Sequence, residues 1–219
     1  MKTIGILLAA LAVMNTPSSG LPRTGDSALV DSTQIYYAEQ DVEALQHLFA
    51  RTDNRELALL CRYRLYPLTR DPVYLDDLPT ELENATAREL ALLSGLWGYR
   101  VMETSIFKVP TYGKRATRLL DEAKALDPRE PFVLLIDGQS LLFRPKIFGG
   151  DKREALVQFN KLCDVLPGIH ASGISTIEAG LWVWYTRKKM KDDDAETLRA
   201  ELLAQNPPPL YKAFLLDPP

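Results

Sequence analysis

The sequence predicts an all-helical fold, and three observations support that prediction. Valine and isoleucine are sparse, and no segment alternates apolar and polar residues over the length of a strand. Apolar residues recur instead at spacings of three and four, as Leu119, Ala123 and Leu126 do, which places them on one face of a helix. Alanine, glycine and proline also recur at nearly constant intervals, as expected for repeated pairs of helices.

The composition excludes several classes of function. The chain has 219 residues, of which 46% are hydrophobic and 25% charged, the proportions of a folded globular protein. Its 29 acidic and 26 basic side chains give a formal charge of −3, so we expect no nucleic-acid partner. Two histidines and two cysteines offer few ligands, so we expect neither a metal site nor a cofactor.

Residues 1–20 are predicted to be a signal peptide. Lys2 precedes an apolar run over 4–14, and a polar, helix-breaking tail follows it. Ser18 and Gly20 are the small residues that cleavage directly after Gly20 requires. The apolar run is shorter than the roughly 20 residues that span a bilayer. The alternative is a buried N-terminal helix.

The signal peptide has consequences for the rest of the chain. Its removal leaves one domain, residues 21–219, in the periplasm or outside the cell. No later stretch approaches the length of a membrane span, so we expect none after cleavage.

Amphipathic spacing and helix-ending prolines predict ten helices in this domain. They cover residues 28–38, 41–51, 54–66, 86–105, 115–126, 131–143, 152–166, 173–190, 194–205 and 209–216. The proline-rich tail after residue 206 is expected to fold back as a cap on the end of the domain.

Part of this helical pattern repeats. An alanine near the start of one helix is followed twelve residues later by a proline that ends the helix. The pairs are Ala116 with Pro128, Ala155 with Pro167, and Ala195 with Pro207. The positions four and seven after each alanine are Leu120 and Ala123, Phe159 and Leu162, and Arg199 and Leu202. The preceding helices carry Gly95, Gly138 and Gly180. Small residues let the two helices of a pair approach closely, and stacked pairs bury faces that one pair leaves exposed.

This register resembles the tetratricopeptide repeat (TPR), over about residues 87–207, with a weaker unit possible at 28–66. The resemblance implies a stack of four to five antiparallel helix hairpins, an α-solenoid whose first helices line a concave, peptide-binding groove. The alanines are 39 and 40 residues apart, whereas the family period is 34. Leu162, Leu202 and Arg199 also depart from the family pattern, which implies divergent repeats with longer loops.

A second resemblance is to the T-component proteins of bacterial TRAP transporters. It rests on export, on divergent repeats and on the glycine-rich residues 148–152 before a second helix. It implies an accessory protein that binds a small molecule.

The glycine-rich residues 148–152 have a structural explanation. They lack the preceding strand and the Lys-Ser or Lys-Thr pair of a phosphate-binding loop. Asp151 is predicted to cap the next helix, with Glu154 completing a capping box. Residues 112–116 are predicted to be the corresponding loop of the preceding unit.

No motif predicts an enzyme. His170 and Ser172 are close in sequence, but there is no Gly-x-Ser-x-Gly elbow and no identifiable third residue. His47 lies within a predicted helix and belongs to no zinc motif. The basic residues 187–191 and the acidic residues 192–194 are placed as helix dipoles favour, at the end of one helix and the start of the next.

Cys61 and Cys163 have two interpretations. In an oxidising compartment they can form a disulfide that closes a long loop and stabilises the fold. Each also lies in an apolar helical stretch, where a free cysteine packs as a small hydrophobic residue.

Aromatic residues are the remaining signal of function. Five of them lie on the predicted first helices: Trp97, Tyr99, Trp182, Trp184 and Tyr185. Trp182 and Trp184 are about 200° apart around a helix, so one is expected in the core and the other in the groove or at the surface. The partner-binding residues are predicted to be Tyr99, Tyr112, Arg144, Phe148, Trp184 and Tyr185.

These observations predict a non-catalytic, exported scaffold that binds a protein or peptide on a concave helical surface. The alternative is an accessory, small-molecule-binding component of a periplasmic transport system, which requires an enclosed apolar pocket.

Overall fold

The computed structural model describes residues 24–218, so the predicted signal peptide lies outside the described residues. Within that range the chain forms ten α-helices and no β-strand, which confirms the all-helical prediction. The helices are α1 (Thr24–Ala38), α2 (Val42–Arg51), α3 (Arg55–Thr69), α4 (Ala87–Met102), α5 (Val109–Leu126), α6 (Pro131–Phe143), α7 (Lys152–Val165), α8 (Thr176–Met190), α9 (Ala195–Ala204) and α10 (Pro209–Leu216). Short 3₁₀ turns lie at Pro72–Leu75, Lys146–Phe148 and Leu166–Gly168.

Most helix ends lie within a few residues of their predicted positions, and α5 is the exception. It begins at Val109, with Pro110 in its first turn. Backbone N–H groups in the first turn have no partner within the helix, so the missing N–H of a proline costs nothing there. Tyr112 and Gly113 therefore lie inside a helix. The prediction that residues 112–116 form a loop equivalent to 148–152 is wrong.

Asp151 caps α7 as predicted. Its carboxylate accepts hydrogen bonds from the backbone N–H groups of Arg153, at 2.8 Å, and Glu154, at 3.3 Å. The side chain of Glu154 accepts instead from the amide of Gln158, at 2.8 Å. The predicted capping box is absent from α7, whereas α4 has one between Thr86 and Glu89.

Helices α4 and α6 run side by side in the same direction. Arg88 in the first turn of α4 pairs with Glu130, which caps α6, at 2.6 Å. Further along, Gly95 of α4 lies against Ile136 of α6. Because both the starts and the middles of the two helices adjoin, their carboxyl-terminal ends lie at the same end of the molecule.

Helix α8 shares this direction. Gly173, just before α8, lies against Phe132 in the first turn of α6. Near the other end, the rings of Phe143 and Tyr185 are 6.3 Å apart. The three loops that follow α4, α6 and α8 therefore leave from one end of the molecule, which we call the loop end.

The repeated glycines lie where neighbouring side chains approach the backbone most closely. A Cβ atom at Gly138 would be 2.5 Å from the ring of Phe159 in α7, and one at Gly180 would be 2.9 Å from Leu202 in α9. In both cases the glycine of one helix accommodates a side chain of the next. Gly95 differs, because its close neighbour is Tyr63 of the preceding helix α3.

The first and last described helices meet. Helix α10 packs against α1, α8 and α9, which agrees with the predicted return of the tail. The buried Arg64 of α3 donates to both carboxylate oxygens of Glu178 in α8, at 2.5 and 2.9 Å. The hydroxyl of Tyr211 in α10 donates to the same carboxylate at 3.1 Å. One buried polar cluster thus joins α3, α8 and α10.

The structure has both cysteines as free thiols. Cys61 is buried in α3, and Cys163 is partly exposed in α7. Within residues 24–218, no helix combines the length and the hydropathy of a membrane span.

Candidate binding surfaces

The six residues predicted to contact a partner differ in exposure and lie in different parts of the structure. Trp184 is 0% exposed and Tyr185 is 2% exposed, so neither presents its side chain to a partner here. Tyr99 is half-buried in α4. Tyr112 is also half-buried, and its ring lies 5.1 Å from that of Trp97.

Arg144 and Phe148 lie in the loop after α6. The guanidinium of Arg144 donates to the hydroxyls of Ser140, at 2.5 Å, and Thr117, at 3.4 Å. It therefore fixes the loop to α5 and α6. Phe148 is 68% exposed and forms no aromatic pair within residues 24–218.

The two tryptophans of α8 diverge as their spacing predicts. Trp184 is the one in the core, where its ring packs against Phe214 at 6.0 Å. Trp182 is partly exposed, stacks on Phe159 at 5.7 Å and also contacts Phe143.

An aromatic band crosses the carboxyl-terminal halves of the parallel helices. We define it by Tyr63 and Tyr66 of α3, Tyr99 of α4, Gln139 and Phe143 of α6, Tyr185 of α8 and Phe214 of α10. The Tyr99 ring lies 4.8 Å from Tyr66 and 5.4 Å from Tyr63, whose hydroxyl donates to Gln139 at 2.7 Å. On the other side of Phe143, Tyr185 lies 5.1 Å from Phe214. Sequence reasoning found only Tyr99 and Tyr185 of these seven residues.

The phenols of Tyr63, Tyr66 and Tyr99 are neutral hydrogen-bond donors. Burial raises the pKa of Tyr63, Tyr66 and Tyr99, and the Glu103 carboxylate raises that of Tyr66 further. The Tyr66 hydroxyl donates to Glu103 at the end of α4. At neutral pH these three phenols are therefore uncharged, and the exposed part of the band consists of the Phe143 ring with the partly exposed Gln139 amide beside it.

Two loops at the loop end carry exposed apolar pairs. Ile106 and Phe107 are 79% and 90% exposed in the loop after α4. Ile147 and Phe148 are 84% and 68% exposed in the loop after α6. We call these four residues the loop tips. Sequence reasoning missed the first pair. The signal was available, because the dipeptide Ile-Phe recurs after nearly the same number of residues as separates Gly95 from Gly138.

The second loop holds its apolar pair in a fixed position. A Cβ atom at Gly150 would lie 1.8 Å from the carbonyl oxygen of Arg144, so only glycine fits there. Gly149 has φ +89°, in the left-handed region that favours glycine. The backbone N–H of Asp151 donates to the carbonyl of Leu141 at 3.0 Å and closes the loop.

Residues 24–218 contain no cluster of three or more potential metal ligands. The Ser172 hydroxyl donates to the carbonyl of Ile174 at 2.8 Å, so it serves the turn rather than His170. His47 lies 3.7 Å from Glu43, and both side chains are well exposed on α2. The chain matches no family model, no curated protein and no solved structure. Its function must therefore be inferred from its own surfaces.

Proposed function

We propose that the chain is a non-catalytic, exported scaffold of TPR-like helix hairpins that binds a protein or peptide segment at the exposed part of the aromatic band. The exposure of Phe143, beside the partly exposed Gln139 of the same helix, supports this proposal. Aromatic side chains held rigidly by their neighbours are the groups that most often dominate the energy of protein interfaces. Preorganisation lowers the entropic cost of binding, because few side chains must be ordered when the partner arrives.

The exposed centre of the band indicates what the partner supplies. Phe143 is 57% exposed and lies one helical turn after the half-buried Gln139. The Oε1 atom of Gln139 accepts from Tyr63, which leaves its amide N–H groups as donors. A segment with an apolar side chain for Phe143 and a backbone carbonyl for Gln139 fits this arrangement.

A photocrosslinking amino acid at position 143 tests the proposal in an envelope extract. Leu126, at the end of α5 and 60% exposed, is the matched control position, because it is equally accessible but lies away from the loop end. We expect a protein to be captured from position 143 and not from position 126. Gln139→Glu keeps an acceptor for the Tyr63 hydroxyl but removes the amide donors, so it should lower the yield while the domain stays folded. Capture of the same proteins at both positions would refute the assignment of the band.

Two surface grooves of the described residues do not provide the pocket that the small-molecule alternative requires. One groove lies between α5 and the segment before α4, and its lining includes Glu81, Lys114 and Arg118. Another lies between α8 and α9, beside Arg187 and Asp194. Both are open to solvent and include charged residues in their lining, whereas the alternative requires an enclosed apolar chamber.

A further inference from the structure

We propose that the loop tips dock the protein onto a lipid surface that contains anionic headgroups. This proposal concerns the two loops after α4 and α6 and does not depend on peptide binding at the aromatic band. It rests on the direction of the helices, on the exposure of the tips and on the charges beside them.

The tips can reach one flat surface together. Helices α4 and α6 run in the same direction and pack side by side, so their loops leave the same end of the molecule, spaced by about the 10 Å that separates packed helices. Phe107 and Phe148 therefore both project from this end. The four side chains are 68–90% exposed, so they project from the protein rather than line a groove. Such projections fit a soft interface that closes around them.

A lysine flanks each tip. Lys108 directly follows the first apolar pair, and Lys146 directly precedes the second. Neither lysine forms an ion pair with any residue that the structure describes. Lysine chains beside buried apolar groups can extend their ammonium groups to the phosphates of a headgroup layer.

The acidic groups beside the tips form hydrogen bonds within the fold, and Arg144 and Lys152 add positive charge beside the second tip. Glu103 accepts a hydrogen bond from Tyr66, and Asp151 caps α7. The third loop at this end has no large apolar side chain and contains Asp192, Asp193 and Asp194. The lipid contact is therefore confined to the first two loops. A protein partner would need an apolar pocket for each projection, and the unpaired lysines favour the lipid.

Vesicle flotation tests the proposal with the protein as it is secreted, its N-terminus defined by mass spectrometry. The probes are vesicles of phosphatidylcholine alone and vesicles in which about a third of the lipid is phosphatidylglycerol. Phe107→Ser and Phe148→Ser should each lower binding to the anionic vesicles about tenfold. Lys146→Glu should lower it about as much. All variants keep the same N-terminus, so residues 4–14 cannot account for a difference between them.

Two control variants separate this contact from general changes in the surface. Leu126→Ser removes an equally exposed apolar side chain from outside the loop end, and Lys212→Glu reverses an exposed charge on α10. Both should bind vesicles as the parent protein does, and all variants should keep its unfolding midpoint.

Three results would overturn the proposal. One is a parent protein that does not float with anionic vesicles, and another is equal flotation with both lipid compositions. The third is a photocrosslinker at position 148 that captures a protein rather than lipid when anionic vesicles are present, which would assign the tips to a protein interface.

Discussion

The buried pair of Arg64 and Glu178 is predicted to contribute strongly to folding only while both partners are present. Their side chains are 2% and 5% exposed. Arg64 also donates to the carbonyl of Gly173 at 2.8 Å and lies 4.4 Å from the centre of the Tyr37 ring. Burial alone would lower the pKa of Arg64, but the charge and hydrogen bonds of Glu178 outweigh it, so the pKa is raised and the guanidinium stays charged.

Removing one partner leaves the other as an uncompensated buried charge. Arg64→Met should leave Glu178 with only the Tyr211 hydroxyl, and Glu178→Leu should leave the guanidinium with only a carbonyl and aromatic rings. Each change should lower the free energy of unfolding by about 3–5 kcal/mol. The double variant removes both charges and replaces them with apolar side chains. It should cost only about 2 kcal/mol, mainly for the unpaired Gly173 carbonyl and Tyr211 hydroxyl.

Urea denaturation followed by far-ultraviolet circular dichroism measures the four free energies of the cycle. The helical signal reports on the whole domain, and equal urea dependence in all variants would establish that the same unfolding reaction is compared. The expected coupling energy is about 4 kcal/mol or more. The inference that this pair joins α3 to α8 would be refuted if the two single variants are additive. In that case the sum of their losses in the free energy of unfolding would equal the loss in the double variant within about 0.5 kcal/mol.

Two further predictions concern a glycine and the thiols. Gly138→Ala should destabilise the fold by about 1–3 kcal/mol, because its Cβ would meet the ring of Phe159. Gly98→Ala should stabilise the fold by about 0.5–1 kcal/mol, because Gly98 lies in a helix with open space around it. Thermal melts that rank the two variants in the opposite order would contradict this prediction. Burial raises the pKa of Cys61 to about 12, so alkylation at pH 8 should modify the native protein far more slowly at Cys61 than at the partly exposed Cys163. Because burial disfavours the thiolate only in the folded state, the contribution of Cys61 to the free energy of unfolding should fall as the pH rises from about 9 towards 12. Equal alkylation of both thiols in the native protein would contradict the alkylation prediction and show that α3 opens readily.

The helices could be predicted because their signals are local. Capping residues, helix-ending prolines and apolar spacing act over one or two turns, and they placed most helix ends within a few residues. The start of α5 was missed because Tyr112 and Gly113 were interpreted as a loop, although Pro110 fits the first turn of a helix. The close approaches at Gly138 and Gly180 followed from the recurrence of small residues.

The candidate surfaces were only partly predictable, because exposure depends on distant segments. Trp184 and Tyr185 are buried where α10, some 25 residues later, returns with Phe214 against them. No local pattern on α8 reports that contact. The recurring Ile-Phe dipeptide was visible in the sequence, but its exposure follows from loops whose geometry depends on Gly150 and the carbonyl of Arg144.

The two halves of the parallel helices have different roles in this arrangement. In the first turn of α8, Glu178 forms with Arg64 and Tyr211 the buried cluster that joins this helix to α3 and α10. The carboxyl-terminal halves of the parallel helices carry the exposed part of the aromatic band and lead into the loop tips. Because the side chains of Phe143 and Phe148 are mostly exposed, substitutions there can change binding without opening the core.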